Sequence, residues 1–494
     1  MSAGRGGRAG RVLRLREMVA QQQFAAARAE AESLLRVDPR DRDLLVVAAR
    51  ACNGLRLHQA ALAFAERAAA AGADAATHLA RAEAFRGLGR TDEAIADFRR
   101  AAQLDPASTD GPLGVVSALE EAGRTEQARA ALDEVVAQLR AAGKPPTPKC
   151  RFEDARLLVH EKRYAEAIAA VDALLPLIPP GFRQRRMTLQ LRVKACDRSG
   201  DYDGAWESAQ RALAEERVQH DPAQLERRID ATIAHWTRER VRAAARSEVD
   251  DPAPVFVAGM PRSGTSLLEQ LAAAHPQGGG VGELQLLEHF AESADAAILP
   301  EGAVPRLPGA VARAPDARAC TEAARAYLAT ARAMCPDAAR IVNKSLHNDR
   351  MAAHLSLLFP ATRIVHIERD PRDVAVSCAL GGFNLLRLPW TARPDWTAHA
   401  WTQSRRLMRH WAQVLEVPLL HVRYEELVQS GEPAFRRYIE FLGLPWDDAV
   451  TRFHQSKRTV LTLSYDQVNK PLYTNAVGRW RNYARHLEGV AWPE

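Results

Sequence analysis

From about residue 10 to residue 215, apolar and small residues return every three to four positions with Arg and Glu between them, the period of amphipathic helices. A longer period near 34 residues lies over it, marked by Arg56, Arg90 and Arg124. In the clearest unit, THLARAEAFRGLGRTDEAIADFRRAAQLDP, the residues Ala82, Phe85, Ala94, Phe98 and Ala101 supply small or aromatic packing positions and Pro106 a terminator. Related sets recur at Ala128 and Leu132, at Ala155, Ala167, Val171, Leu174 and Pro179, and at Ala205, Ala209 and Ala212. Together with a first unit ending at VDPRD, they make about six repeats over 10–215. The segment AAGKPPTPK at 141–149 is either a loop or a local break in the stack. Residues 216–250 lose the repeat signature, and Asp221 to Arg246 predicts a capping and bridging helix ended by EVDDPAP. From 252 to 494 short apolar strands alternate with helices, the pattern of a three-layer α/β domain. The predicted strands are Val255–Ala258, a run ending at Asn343, Ile364–Ile367, and a run ending at Tyr424.

A hydrophobic share of 47% and a charged share of 26% suit a globular chain of about two to four domains. No apolar run is long enough to span a bilayer, and the basic first residues lack the apolar middle of a secretory signal, so a cytoplasmic address is expected. The net charge of +6 favours a polyanionic ligand, a phosphorylated nucleotide or a nucleic acid. Most arginines alternate with acidic residues on helix faces and are not interleaved with aromatics, which points away from nucleic acid. Six cysteines without a CxxC pair argue against a disulfide framework or a zinc site.

The stretch PVFVAGMPRSGTSLLEQL reads as strand, glycine turn and helix. The N–H groups of Ser263 to Ser266 would open that helix and cradle a phosphate. Gly259 and Gly264 have the spacing of the NTPase loop GxxxxGK[ST], but Thr265 stands in the lysine position and the cation is Arg262. A γ-phosphate-cleaving kinase is therefore disfavoured. Taken alone, the stretch would also pass for an ordinary strand-to-helix turn, so partners elsewhere in the chain matter. Glu283 follows a glycine-rich turn, Lys344 and Arg369 follow strands, Ser377 lies on the next helix, and Tyr424 ends a strand. Ligands of a parallel sheet bind at the carboxyl ends of its strands, where these residues fall. One phosphate on the loop and another at Arg369 and Ser377 would describe a nucleotide phosphorylated at two places on its ribose. His289, His347 and His366 have no triad framework and read as structural, and Trp480 reads as a core residue.

The helical repeats resemble tetratricopeptide repeats, whose stacked helix pairs curve around a groove. That groove would hold a peptide or partner protein; alternatively the repeats scaffold or dimerise the second domain. The motifs PRSGTS, HPQGGGVGE, NKS, ERDPRDVAVS, RYEEL, SYDQVNKP and VGRW, in this order over 252–494, resemble the sulfotransferases. Within them they are most similar to the tyrosylprotein sulfotransferase branch and its bacterial tetratricopeptide-containing relatives. The resemblance implies a tetratricopeptide α-solenoid followed by a P-loop-like three-layer α/β domain with a parallel sheet. It implies the donor 3′-phosphoadenosine 5′-phosphosulfate, with Arg262, Ser263, Gly264, Thr265 and Ser266 on the 5′ phosphosulfate and Arg369 with Ser377 on the 3′ phosphate. Glu283 resembles the general base, Lys344 and Ser464 the groups stabilising charge on the sulfuryl group and leaving oxygen, and Tyr424 and Lys470 nucleotide contacts. No metal is implied. The implied acceptor is a hydroxyl of a peptide or protein, tyrosine included; a glycan, lipid or small metabolite, or an inactive scaffold, are the alternatives. The chain departs from the tyrosine-sulfating enzymes in two respects. Leu284 and Gln285 follow Glu283 where those carry a basic residue for acidic peptides, and the membrane anchor of those Golgi enzymes has no counterpart in this sequence.

Overall fold

The computed structural model describes residues 3–55, 57–216, 218–300, 314–385, 387–455 and 475–493. The chain divides into two compact units, Met1–Asp201 and Tyr202–Glu494.

The first unit is a succession of helices: α1 Ala3–Ala20, α2 Phe24–Leu35, α3 Arg42–Gly54, α4 His58–Ala70, α5 Ala75–Gly87, α6 Thr91–Leu104, α7 Asp110–Glu121, α8 Thr125–Ala141, α9 Pro148–His160, α10 Tyr164–Leu174 and α11 Arg183–Ser199. Each packs on the next, and α3, α5, α7, α9 and α11 also touch in turn. Ala82, Ala94, Ala128, Ala155 and Ala167 are fully buried, so only a methyl group separates neighbouring backbones there.

The 34-residue arginine period has a local cause. Arg90 and Arg124, and Arg163 after a longer step of 39 residues, each precede the second helix of a pair, after a left-handed residue, Gly89, Gly123 or Lys162. Their backbone N–H groups close the preceding helix onto Phe85, Leu119 and Leu158. Their guanidinium groups then brace the new helix three residues on, at Glu93, Gln127 and Glu166. Arg56, the other marker, lies outside the described residues. AAGKPPTPK is a connection within the stack: α8 runs to Ala141, Thr147 caps α9 by accepting from the Cys150 N–H at 3.2 Å, and α9 still packs on α7.

The second unit begins with α12 Tyr202–Ala214, α13 Pro222–His235 and α14 Arg238–Ala243. The stretch predicted as one bridging helix is two, because Trp236 leaves helical geometry and Thr237 caps a new start. Both helices pack on the α/β layers through Ile229, Trp236 and Val241. Ala205, Ala209 and Ala212, predicted in the last repeat, lie buried on α12, whose Tyr202 and Trp206 cover Tyr483 near the chain end.

Then come β1 Pro254–Ala258, α15 Thr265–Ala274, β2 Gly278–Gly282, α16 Glu288–Ile298, α17 Ala317–Met334, β3 Arg340–Asn343, α18 Asn348–Leu358, β4 Arg363–Glu368, α19 Pro371–Leu380, α20 Pro394–Val414, β5 Leu419–Arg423, α21 Tyr424–Ser430 and α22 Glu432–Phe441. The strands form one parallel sheet in the order β2-β3-β1-β4-β5. All of β1 is buried, with alternate residues entering opposite layers. Val255 and Val257 join Leu267, Leu268 and Leu271 of α15, whereas Ala258 and Ile364 join Leu407, Met408 and Trp411 of α20. The chain thus leaves β1 toward one face and β4 toward the other, opening a crevice between their carboxyl ends.

All six cysteines are free. Burial pushes the Cys378 thiol up to about 12 and Cys196 up to about 11, as suits packing residues. Among the described residues no helix is long and apolar enough to cross a membrane.

His366 on β4 is buried, with its Nδ1 3.0 Å from Nδ1 of His421 on β5. Burial first, then His421 and Arg405, push its pKa down to about 3. An unfolded chain would protonate this imidazole near pH 6.5, so its contribution to stability is full above that pH and declines as pH falls toward 3. Denaturant titrations should show a loss of about 2 kcal/mol between pH 7 and 5 from this residue, reduced in His366→Gln. A pH profile identical in the variant would contradict the assignment.

Candidate active site

The turn between β1 and α15 is held in an uncommon backbone state. Arg262 has φ +69° and Gly264 φ +105°, while the Ser263 hydroxyl donates to the Met260 carbonyl at 2.6 Å. Left-handed geometry at a non-glycine residue costs about 1 kcal/mol and needs external support. Arg369 donates through Nη1 to the Arg262 carbonyl at 2.9 Å, and the Arg262 Nε donates to the Ser377 hydroxyl at 2.8 Å. Arg262, grouped with the loop by sequence, therefore reaches the residue assigned to the other phosphate.

Gly264 is held by space as well as by φ. A Cβ there would lie 2.5 Å from Cδ2 of Tyr424. Gly264→Ala is expected to weaken both stability, by about 1 to 2 kcal/mol of backbone strain, and anion binding at the turn. Urea denaturation and nucleotide titration check this together, and unchanged values in both would contradict it.

Arg369 stands just past β4 and is 8% exposed. Its guanidinium lies 4.6 Å from the Tyr424 ring, donates to the Ala476 carbonyl and approaches Asp373 to 3.7 Å. Its Nε is buried with no hydrogen-bond partner among the described residues, an open donor beside the turn. Burial, opposed by Arg369, pushes the Tyr424 phenol up.

The α19 helix that carries Ser377 begins with Asp370, which accepts the Arg372 N–H at 2.9 Å. Burial would raise the Asp370 carboxyl, but hydrogen bonds from the Arg372 side chain and backbone hold it below the ordinary carboxylate range. Asp373 accepts the N–H groups of Gly478 and Trp480, each at 2.8 Å, and so fastens the VGRW segment to this helix. Trp480 is not in the core; it is part-exposed under the Arg372 guanidinium at 3.8 Å, with Arg481 at 5.1 Å.

On the other side of β1, Lys344 follows β3 and Glu283 follows β2. The Lys344 Nζ donates to the Glu283 carboxylate at 2.7 Å, with side-chain exposures of 2% and 32%. A buried ammonium needs such a partner, and the carboxylate is its outward-facing half. Asn343 and Ser345 both donate to the Leu284 carbonyl, which ties the two post-strand loops together. Arg387 reaches in from the α19–α20 connection and donates to Gln285 at 3.1 Å.

Two groups result. Arg262, Gly264, Arg369, Ser377 and Tyr424 form one continuous cluster with the helix start at Thr265 and Ser266, and Glu283 with Lys344 forms the other. Ser464 and Lys470 lie outside the described residues. Glu269, Asp373, Arg372 and Arg387 are site side chains that sequence reasoning did not single out. The available signal was a carboxylate within the apolar helix TSLLEQL for Glu269, and the PRDV turn for Arg372 and Asp373; Arg387 had none.

Comparison with known proteins agrees with this architecture. The sequence model described as Sulfotransferase family matches residues 254–448, and the one described as Tetratricopeptide repeat matches residues 85–143. An uncharacterized protein of Aquifex aeolicus (strain VF5) is 29% identical over 405 residues, covering 81% of this chain and 52% of its own length. Protein-tyrosine sulfotransferase A of Caenorhabditis elegans is 26% identical over 247 residues, covering 46% of this chain and 60% of its own. The chain thus spans about half the length of the curated relatives it matches. The sulfotransferase domain of the Synechococcus PCC 7002 olefin synthase aligns at 19% identity with a TM-score of 0.35, over 51% of this chain and 93% of that domain. The chain thus carries a tetratricopeptide repeat match within its helical unit and a sulfotransferase-family match over residues 254–448 of its parallel α/β unit.

Proposed function

We propose that this crevice binds 3′-phosphoadenosine 5′-phosphosulfate and transfers its sulfuryl group in line to an acceptor hydroxyl. The observation that carries the reading is the joined pair of anion sites: the glycine turn at one end, Arg369 and Ser377 at the other, with Arg262 linking them. The turn and the first N–H groups of α15 would take the 5′ phosphosulfate. Arg369, through its open Nε, and Ser377 would take the 3′ phosphate. Tyr424 would border the nucleotide. Ser464 and Lys470 are assigned here to the leaving oxygen and the nucleotide on resemblance alone.

In the transfer, the acceptor oxygen bonds to sulfur as the bond from sulfur to the bridging oxygen breaks. The acceptor proton passes to Glu283, and adenosine 3′,5′-bisphosphate leaves. Lys344 is within reach of that carboxylate and, with donor bound, would turn its ammonium to the sulfuryl oxygens.

For the acceptor we favour a hydroxyl of a peptide or protein, tyrosine among them. Arg387, which donates to Gln285, would stand in for the cation absent from the sequence after Glu283 and would suit an acidic acceptor segment. The repeats would collect that acceptor. The test is incubation of the purified chain with sulfur-labelled donor and a tyrosine peptide flanked by acidic residues. Label on the peptide, reduced in Arg387→Ala through a higher KM, is expected. Label only on glycans, lipids or small molecules would overturn the acceptor reading, and no transfer to anything would overturn the enzyme reading.

A further inference from the structure

Glu269 sits one turn into α15, a helix otherwise packed with Leu267, Leu268, Leu271 and Ala272, and is 3% exposed. A carboxylate at such a position requires hydrogen-bond donors in the protein. It accepts the Gly282 N–H at 2.7 Å.

Gly282 has no ordinary place in the sheet. The register between β2 and β3 slips between Gly280 and Gly282, so Val281 is an extra residue, and Gly282 has φ +65°. A bulge of this kind turns the chain and re-aims the next side chains. The Gly282 peptide is then fixed from both sides, its N–H by Glu269 and its carbonyl by the Lys344 N–H at 2.9 Å. Glu283 is the next residue, and its carboxylate meets Lys344 Nζ.

We propose that Glu269 is a positioning residue for Glu283. Its carboxylate holds the bulge so that the base comes off β2 at one orientation, and because it rides on the helix that starts at the glycine turn, base and donor are placed by one rigid element. The inference rests on the sulfuryl-transfer reading for its consequence, though not for its geometry. Backbone displacement of about 1 Å at a base costs about a hundredfold in rate.

The test compares Glu269→Ala with Glu269→Gln, which keeps an acceptor for the Gly282 N–H. Per nucleotide-binding site, Glu269→Ala should lose about a hundredfold in kcat with the donor KM little changed, and Glu269→Gln should recover most of it. Wild-type turnover in Glu269→Ala would overturn the proposal, as would loss of nucleotide binding in parallel with turnover, or failure of the glutamine to restore it. A crystal structure of Glu269→Ala supplies a readout that needs no activity. The Glu283 carboxylate should leave Lys344 Nζ, and an intact contact there would refute positioning even if the wild-type chain transferred nothing. Absence of transfer by the wild type bears on the proposed function alone.

Discussion

Glu283→Gln is expected to lower kcat by about a hundred- to ten-thousandfold while leaving nucleotide affinity within about twofold. The amide keeps the shape of the side chain and a carbonyl for Lys344, so the 2.7 Å contact has a substitute and the fold has little to lose. What it cannot do is accept the acceptor's proton. Because Glu283 belongs to the group separate from the anion cluster, binding and turnover should part company in this variant. Single-turnover kinetics with labelled donor, beside calorimetry with adenosine 3′,5′-bisphosphate, make the measurement. Turnover near the wild-type rate would place the base elsewhere.

Arg369→Met should have the opposite signature, a loss of binding first. Its guanidinium supports the Arg262 carbonyl, holds the Ala476 carbonyl and stacks on Tyr424, with one buried donor left for a ligand. Losing a charge-assisted hydrogen bond to a phosphate costs about 1.5 to 3 kcal/mol, or about ten- to a hundredfold in affinity. The thermal midpoint should also fall, since the Arg262 and Ala476 carbonyls and Asp373 lose a partner. Arg369→Lys keeps the charge but has no planar fork to serve the several acceptors at once, so it should not restore binding. An equal loss of affinity for adenosine 5′-monophosphate would show that Arg369 does not read the 3′ phosphate.

Four strands and the glycine turn were legible because a buried parallel strand writes itself as a short apolar run; β2, Gly278–Gly282, was not, since its glycines read as a turn before Glu283. Val255–Ala258 and Ile364–Ile367 lie inside β1 and β4, and Tyr424 directly follows β5. The repeats were legible because their close helix contacts demand alanine at fixed places, and their arginines brace the helix starts three residues on. Long-range contacts were not legible. Arg262 meets Ser377 across 115 residues, and no local preference tells a guanidinium to turn that way. The bulge at Val281 depends on a carboxylate 13 residues earlier, and a run of glycines gives no register by itself. Trp480 misled because its ring is covered by Arg372, a surface stack that looks like a core residue in sequence. The break at Trp236 is hidden because QLERRIDATIAHWTRERVRAAAR keeps a helical pattern through it; Trp236, where the chain leaves helical geometry, is buried against α20 and Thr237 caps the new start.

The most direct measurement is a calorimetric titration of the ligand-free chain with adenosine 3′,5′-bisphosphate, adenosine 5′-monophosphate and ATP. Two linked anion sites predict that the bisphosphate binds about a hundredfold tighter than the monophosphate and raises stability by about 2.7 kcal/mol at a hundredfold excess over its Kd. Equal affinity for the bisphosphate and the monophosphate, or binding of ATP in preference to both, would contradict a crevice built for a nucleotide held at both ends of its ribose.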